Sequence, residues 1–317
     1  MDTPAEARTP SGRRRWRRAA GLGAAAVLAL AAVVYAMLLG PQSWSYLTHR
    51  TGSPEHNVDF VPFAADDPPA VHLAVAGDVG DGGDMAWRLA ATMYVAGREH
   101  PYDALLLLGD QVYPWGDPAK LDDYVFRPFA AVLDAGARLL AICGNHDAAW
   151  EDGGAGQMQA LGMPGMWWST EIGDVLIVGL DSNRPDDPAQ LGWLEATLAA
   201  STHRWKIVAI HEPPYSAGYQ GSNEDVRDIF TPVFERYGVN LVLSGHEHDY
   251  QRSVLLGGVT YVVSGGGADT RRTGRAGFTA YSTSVINFVD IGIYPDRIEL
   301  RGIDHELKIF DECVIGA

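Results

Sequence analysis

Cysteine is nearly absent, with two in 317 residues, Cys143 and Cys313. That excludes a disulfide-built scaffold, and no Cys-x-x-Cys pair or Cys/His zinc spacing occurs. Cys143 lies inside the apolar run RLLAIC, the setting of a reduced, buried thiol, while a bridge to Cys313 stays open. Basic residues are also scarce beyond the first forty positions. Residues 1–40 hold six of the 24 Lys and Arg and two of the 40 Asp and Glu, so the remainder carries 18 against 38, a net −20. Such a chain is repelled by nucleic-acid backbones, and it has no basic stretch interleaved with aromatics. Nucleic acid is therefore excluded as a partner, whereas cations are suited. Internal repeats are lacking too.

Long apolar runs are represented by a single case. Residues 19–39, AAGLGAAAVLALAAVVYAMLL, follow the cluster RRRWRR and carry no charge over 21 positions. As a helix rising about 1.5 Å per residue they suffice for a bilayer core of roughly 30 Å. Arginines before the run put the N-terminus in the cytoplasm, and Trp16, Trp44 and Tyr46 suit the two interfaces. The sequence thus divides into a basic tail (1–18), a transmembrane signal-anchor (19–40), a polar linker with several prolines (41–70) and an exported domain (71–317). A cleaved signal peptide is the competing reading. It calls for a shorter apolar core and a small-residue cleavage site, and no convincing one follows Leu39.

From Val71 onward short runs rich in Val, Ile and Leu alternate with amphipathic stretches, an α/β pattern. VHLAVAG, ALLLLG, RLLAIC, VLIVGL, WKIVAI, NLVLSG and TYVVSG read as buried strands. Residues 84–98, 121–135, 188–199 and 224–237 have helical spacing, and VINFVDIGI with RIELRGI reads as an antiparallel pair. In open α/β sheets ligands gather at the carboxyl ends of strands. Here those ends carry AGDVG (Asp78), GDQVY (Asp110, Tyr113), CGNHD (Asn145, His146, Asp147), HEPPY (His211) and GHEHDYQR (His246, His248). Each alone is an ordinary turn or surface histidine. His-x-His is stronger, because alternate residues of a strand share one face. Five such clusters on one edge are hard to attribute to chance and point to a metal site.

In this order, GDVG, GDQVY, GNHD, VAIH and GHEH resemble the motif blocks of the calcineurin-like metallophosphoesterases, in the forms of the purple acid phosphatase branch. The resemblance implies a four-layer α/β/β/α sandwich of two mixed β-sheets flanked by helices. It implies one metal held by Asp78, Asp110, Tyr113 and His248, and another held by Asp110, Asn145, His211 and His246, with Asp110 shared. Many members of the superfamily begin with Asp-x-His; here Gly80 stands at the histidine position and Tyr113 supplies the replacement ligand of the purple branch.

The donor chemistry agrees with this division. Asp78, Asp110 and a tyrosinate are hard anionic oxygens that favour Fe(III), whereas Asn145 and two imidazoles suit a divalent ion such as Zn, Fe(II) or Mn. Two cations roughly 3.5–4 Å apart can activate a shared water and clamp a phosphate during in-line attack. His146, not required as a ligand, is the proton donor for the leaving oxygen. Asp147 and Asp249 are acids that could orient the histidines, with a capped or solvated acid as the plain alternative. The loop after His211 holds no further histidine, which leaves Tyr219 and Gln220 in that neighbourhood. Residues 148–173, with Trp150, Trp167 and Trp168, either rim the pocket or pack on the sheet. The expected activity is hydrolysis of phosphate monoesters, small-molecule or protein. Phosphodiester or pyrophosphate hydrolysis at the same centre, and a metal-binding scaffold without catalysis, are the rivals.

Overall fold

Residues branched at Cβ, with leucine, fill a pleated surface that is covered on both faces, and the apolar runs become strands for that reason. The computed structural model describes residues 50–53 and 57–316. The short β1 (Arg50–Thr51) and β2 (Val58–Asp59) precede β3 (Val71–Ala76), β4 (Ala104–Leu107) and β5 (Arg138–Ala141). Then come β6 (Trp168–Ile172), β7 (Val175–Leu180), β8 (Trp205–Ile210) and β9 (Leu241–Ser244). They are followed by β10 (Tyr250–Ser253), β11 (Thr260–Ser264), β12 (Gly274–Arg275) and β13 (Thr279–Thr283). Last are β14 (Asn287–Ile293), β15 (Arg297–Asp304) and β16 (Lys308–Gly316). The helices are α1 (Asp84–Ala96), α2 (Ala130–Asp134), α3 (Asn145–Ala148), α4 (Ala155–Ala160), α5 (Pro188–Ala200) and α6 (Glu224–Arg236).

Two seven-stranded sheets form, in the orders β2-β16-β15-β14-β3-β4-β5 and β13-β10-β11-β9-β8-β7-β6. Both are mixed. β3, β4 and β5 run parallel in the first, while β7, β8, β9 and β11 run parallel in the second. Side-chain alternation builds the layers. Leu73, Val75 and Leu106 of the first sheet meet Ile177, Ile207 and Leu243 of the second in a core between the sheets. The alternate residues Ala74, Leu105 and Leu107 pack beneath Leu89 and Met93 of α1. On the far side Val178, Val208 and Val242 pack beneath Leu194 and Leu198 of α5 and Phe230 and Phe234 of α6. This is the expected α/β/β/α order. Parallel register also levels the strand ends. Ala76 pairs with Leu107 and Leu107 with Ala141, so the segments that follow all three strands leave the sheet at one edge.

Several expectations change. The stretch 121–135 is not one helix; it has a π-helical turn (Asp122–Phe126) and then α2. Pro128 has no N–H to donate and breaks the ladder between them. Residues 148–173 contain α4 and β6, and Trp168 is core: its indole N–H donates to the Ala141 carbonyl at 2.9 Å. The described part of 41–70 belongs to the domain rather than to a free linker, since β1 pairs with β12, β2 pairs with β16, and Phe63 is buried. Cys143 is a free, buried thiol and Cys313 is also free, so the bridge does not form. The run 19–39 lies outside the described residues. Among the described residues no helix is long and apolar enough to cross a membrane.

Candidate metal centre

The first sheet's edge supplies Asp78 after β3, Asp110 and Tyr113 after β4, and Asn145 and His146 on α3 after β5. The second sheet supplies His211 directly after β8, and His246 and His248 after β9. All the sequence-predicted ligands converge. The Tyr113 hydroxyl lies 2.9 Å from Asp78 Oδ1 and 3.1 Å from His248 Nε2, and that Nε2 is 3.4 Å from Asp78 Oδ1. Asn145 Oδ1 lies 3.1 Å from His211 Nε2 and 2.9 Å from His246 Nδ1. His211 Nε2 is also 3.5 Å from Asp110 Oδ1. Potential ligand atoms of Asp78, Asp110 and His211, all buried, lie within 4.8 Å of one another.

Backbone conformation brings them together. Asp78, Asp110 and His246 have φ of 59°, 54° and 69°, the left-handed region that most side chains avoid. Such residues persist where surrounding structure holds them. Asp147 does much of the holding. Its carboxylate accepts from the backbone N–H of Asp110 (2.7 Å), Gly144 (2.9 Å), Gln111 (3.0 Å) and Val112 (3.3 Å). It therefore fixes the loop bearing Asp110 and Tyr113, not a histidine ring. Asp249 likewise orients no imidazole: both its oxygens accept from Gln251 Nε2 at 3.0 Å. The ring that is fixed best, His211, donates from Nδ1 to the Leu108 carbonyl at 2.7 Å. His-x-His also acts differently from the strand argument, because β9 ends at Ser244 and both histidines stand on the loop beyond it.

Gly80 explains its own identity. Its N–H donates to the Asp110 carbonyl (3.1 Å) and its carbonyl accepts from Tyr113 N–H (2.8 Å). A Cβ built on it would lie 2.3–2.5 Å from the backbone of Gln111 and Val112. The loop that carries Tyr113 thus occupies the space of any side chain at position 80.

Electrostatics test whether these residues fit metal ions. His211 uses Nδ1–H for Leu108, so in the neutral ring Nε2 would aim a lone pair at two oxygens, those of Asn145 and Asp110. That arrangement needs a positive charge. Without a metal, a proton provides it. Burial opposes the imidazolium, but Asp110 and Asp78 outweigh it and raise the pKa of His211 to about 9. Burial, then the charge on His211, pulls His246 down to about 3. Burial also works against the Asp78 carboxylate, yet the imidazoles of His248, His211 and His246 hold its pKa below the usual value. For Asp110 burial prevails and the pKa rises. Burial and then the charges of Asp78 and Asp110 drive the Tyr113 phenol far above its usual pKa. A tyrosinate here requires a cation against it. The set of crowded oxygens and lone pairs fits metal ions and, without them, is stabilised by a trapped proton.

His146 stands beside this cluster. Its N–H donates to Asp110 Oδ1 at 2.9 Å, while its ring packs edge-on against Tyr113 and places Nδ1 2.9 Å from the Pro114 carbonyl. A proton on Nδ1 satisfies that carbonyl and leaves Nε2 for another partner.

Glu247, the residue between the two histidines, escaped the sequence reading. It is buried and accepts from the backbone N–H of Gln220 (2.7 Å) and Gly221 (2.6 Å), pinning the loop after β8. Burial and then Asp249 raise its pKa to about 8. His72 takes no part in the cluster: its Nε2 lies 2.7 Å from buried Asp290. Among the described residues His100, His203 and His305 join none of these contacts.

A profile of the calcineurin-like phosphoesterase family matches residues 71–250, more than half of the chain. Human tartrate-resistant acid phosphatase type 5 is 34% identical over 93 residues, 27% of this chain and 29% of the human protein. The matches with the first curated relatives span between 23% and 29% of those proteins' lengths. Purple acid phosphatase from yellow lupin seeds superposes with a TM-score of 0.69 at 15% identity, covering 78% of this chain and 55% of the lupin chain. GAP50, described as the anchor in the inner membrane complex of Plasmodium, superposes with a TM-score of 0.66 at 14% identity, covering 78% and 88%. At those identities the superpositions speak for the fold alone. With the profile spanning every ligand-bearing strand end from Asp78 to His248, the chain belongs to the calcineurin-like phosphoesterase family.

Proposed function

We propose that this protein is a dinuclear-metal phosphomonoesterase of the purple acid phosphatase type. The observation that carries the reading is the His211 Nε2–Asn145 Oδ1–Asp110 Oδ1 contact, three electron-rich atoms turned on one another beside Asp78, Tyr113 and His248. Asp78, Asp110, Tyr113 and His248 would hold one ion; Asp110, Asn145, His211 and His246 would hold the other. Three hard oxygens favour Fe(III) at the tyrosine site, and an amide with two imidazoles favours Zn, Fe(II) or Mn beside it. Bound there, the two ions supply Lewis acidity and a water of low pKa.

The remaining chemistry falls to side chains. A phosphate ester docked on the centre has its leaving oxygen near His146. With Nδ1–H held by the Pro114 carbonyl, a protonated Nε2 donates to that oxygen as the P–O bond breaks, and the imidazole is left neutral. Asp147 keeps Asp110 and the Tyr113 loop in place throughout. The substrate is a phosphorylated small molecule or protein. Residues 19–39 anchor the chain in a membrane with the catalytic domain exported; secretion after cleavage is the alternative.

The test is metal analysis and a visible spectrum of protein purified without added metal, together with hydrolysis of p-nitrophenyl phosphate. Two ions per chain, a tyrosinate–iron band and turnover support the reading. Bound metal with no turnover of any phosphate ester would instead favour the scaffold, and preference for bis(p-nitrophenyl) phosphate or pyrophosphate would favour the diesterase or pyrophosphatase.

A further inference from the structure

Two loops close over the His246 side of the centre. The loop after β8 is pinned by Glu247, and Gln220 Nε2 donates to the His246 carbonyl at 3.3 Å. The loop between β11 and β12 is fixed by Arg271, whose N–H donates to the His248 carbonyl at 2.7 Å and whose carbonyl accepts from Ser284 Oγ at 2.5 Å. Gly274 N–H donates to the Ala217 carbonyl at 3.1 Å and ties the loops together. At their junction the Arg271 guanidinium lies 5.9 Å from the centroid of the Tyr219 ring, a ring 48% exposed.

Arg271 is half-buried, and among the described residues no carboxylate pairs with its guanidinium. Its neighbour Asp269 turns instead toward His248 Nδ1, at 3.9 Å. By contrast, the Arg275 guanidinium is spent on Ser53 and the Ala280 carbonyl. Where residues 41–317 carry a net charge of −20, a half-buried guanidinium left without an acid stands out. Guanidinium is the side chain suited to planar, two-point capture of carboxylate or phosphate.

We infer that Arg271, steadied by Tyr219, is a second anion-binding position at the rim of the centre, fitting it to phosphate esters that carry another anionic group near the ester oxygen. This rests on the phosphoesterase reading and deepens it. The scissile phosphate occupies the centre, and the second anion, a carboxylate or another phosphate, forks onto the guanidinium. Tyr219 holds the guanidinium by its ring face, leaving the N–H edge free for the anion.

Calorimetric binding of non-hydrolysable probes to the metal-loaded protein tests this without turnover. Methylphosphonate offers one anionic group, phosphonoacetate adds a carboxylate, and methylenebisphosphonate adds a second phosphonate. The wild type should bind at least one of the latter two about tenfold or more tighter than methylphosphonate, and which one identifies the second anion. Arg271→Ala should erase that advantage, with methylphosphonate affinity changed less than about twofold. Arg271→Lys should keep part of it, Tyr219→Phe nearly all, and Tyr219→Ala less. Equal affinity for all three probes in the wild type overturns the inference. So does an Arg271→Ala protein that loses metal or weakens on every probe alike, because Arg271 would then serve only to brace the His248 loop. Hydrolysis of p-nitrophenyl phosphate by the same wild-type preparation judges the phosphoesterase reading separately.

Discussion

The first sheet delivers oxygen to the centre, through Asp78, Asp110, Tyr113 and Asn145, and the second delivers nitrogen, through His211, His246 and His248. The oxygen half is held by its own loops, with Asp147 gathering four backbone N–H groups around Asp110. The nitrogen half is held largely from across the sandwich. His211 is oriented by the carbonyl of Leu108, and the His246 N–H donates to Asp78 Oδ2 at 2.8 Å, both partners belonging to the first sheet. Neither half is complete alone. The cluster exists only where the two sheets are packed, and metal bound there would link them.

The sharpest break of this arrangement is the one ligand proposed to serve both ions. Asp110→Asn should lower hydrolysis by at least about a thousandfold, equivalent to roughly 4 kcal/mol of transition-state stabilisation, and metal analysis should show less than two ions per chain. A fully loaded variant would remove Asp110 from its bridging role. His146→Ala leaves both halves intact. It should retain metal and slow hydrolysis of an alkyl phosphate about 100- to 10,000-fold, while p-nitrophenyl phosphate, whose leaving group needs little protonation, loses about tenfold or less. Unchanged alkyl phosphate turnover would sink that assignment.

A third experiment separates the oxygen half from the nitrogen half by colour. Tyr113→Phe should abolish visible absorption while metal persists at the histidine side; a coloured variant would return Tyr113 to a packing role. The fourth concerns the nitrogen half. Metal must displace the proton that His211 keeps up to about pH 9 in the metal-free protein. Affinity should therefore rise as pH rises, by up to about tenfold per unit below pH 9, and level off above it. A flat profile would mean that His211 is neutral before metal arrives. The smallest effect expected is on stability. If metal links the sheets, chelation from a solution at a hundred times its Kd should cost about 2.7 kcal/mol of unfolding free energy, read by thermal or denaturant melting.

Asp78 and Asp110 were the most legible in sequence, because each follows an apolar run by one glycine and parallel register levels the ends of those runs, whereas Tyr113 stood out only through the family resemblance. The division into two sheets came only from the family resemblance, but most strands were legible as apolar runs. β6 was not, since WSTEI alternates buried and exposed residues as an edge strand and looked like loop. The break at Pro128 was overlooked because the apolar spacing of 121–135 continues across it. The sequence left two roles open for the acids, and it could not choose between them: Asp147 lies within the motif, but its partners are backbone N–H groups, which leave no mark in a sequence. Arg271 and Tyr219 are 52 residues apart and belong to no motif, so only the knitting of two loops brings them together.

Gly80 carries a consequence for how such a centre can change. A side chain at that position and the loop that presents Tyr113 compete for the same volume, so the two ligand sets are alternatives that cannot be blended. Gly80→His alone would add a ligand only by dislodging the tyrosine, and Tyr113→His alone would leave position 80 still closed. Steric exclusion at one glycine thus ties the identity of residue 80 to the path of the loop that carries Tyr113.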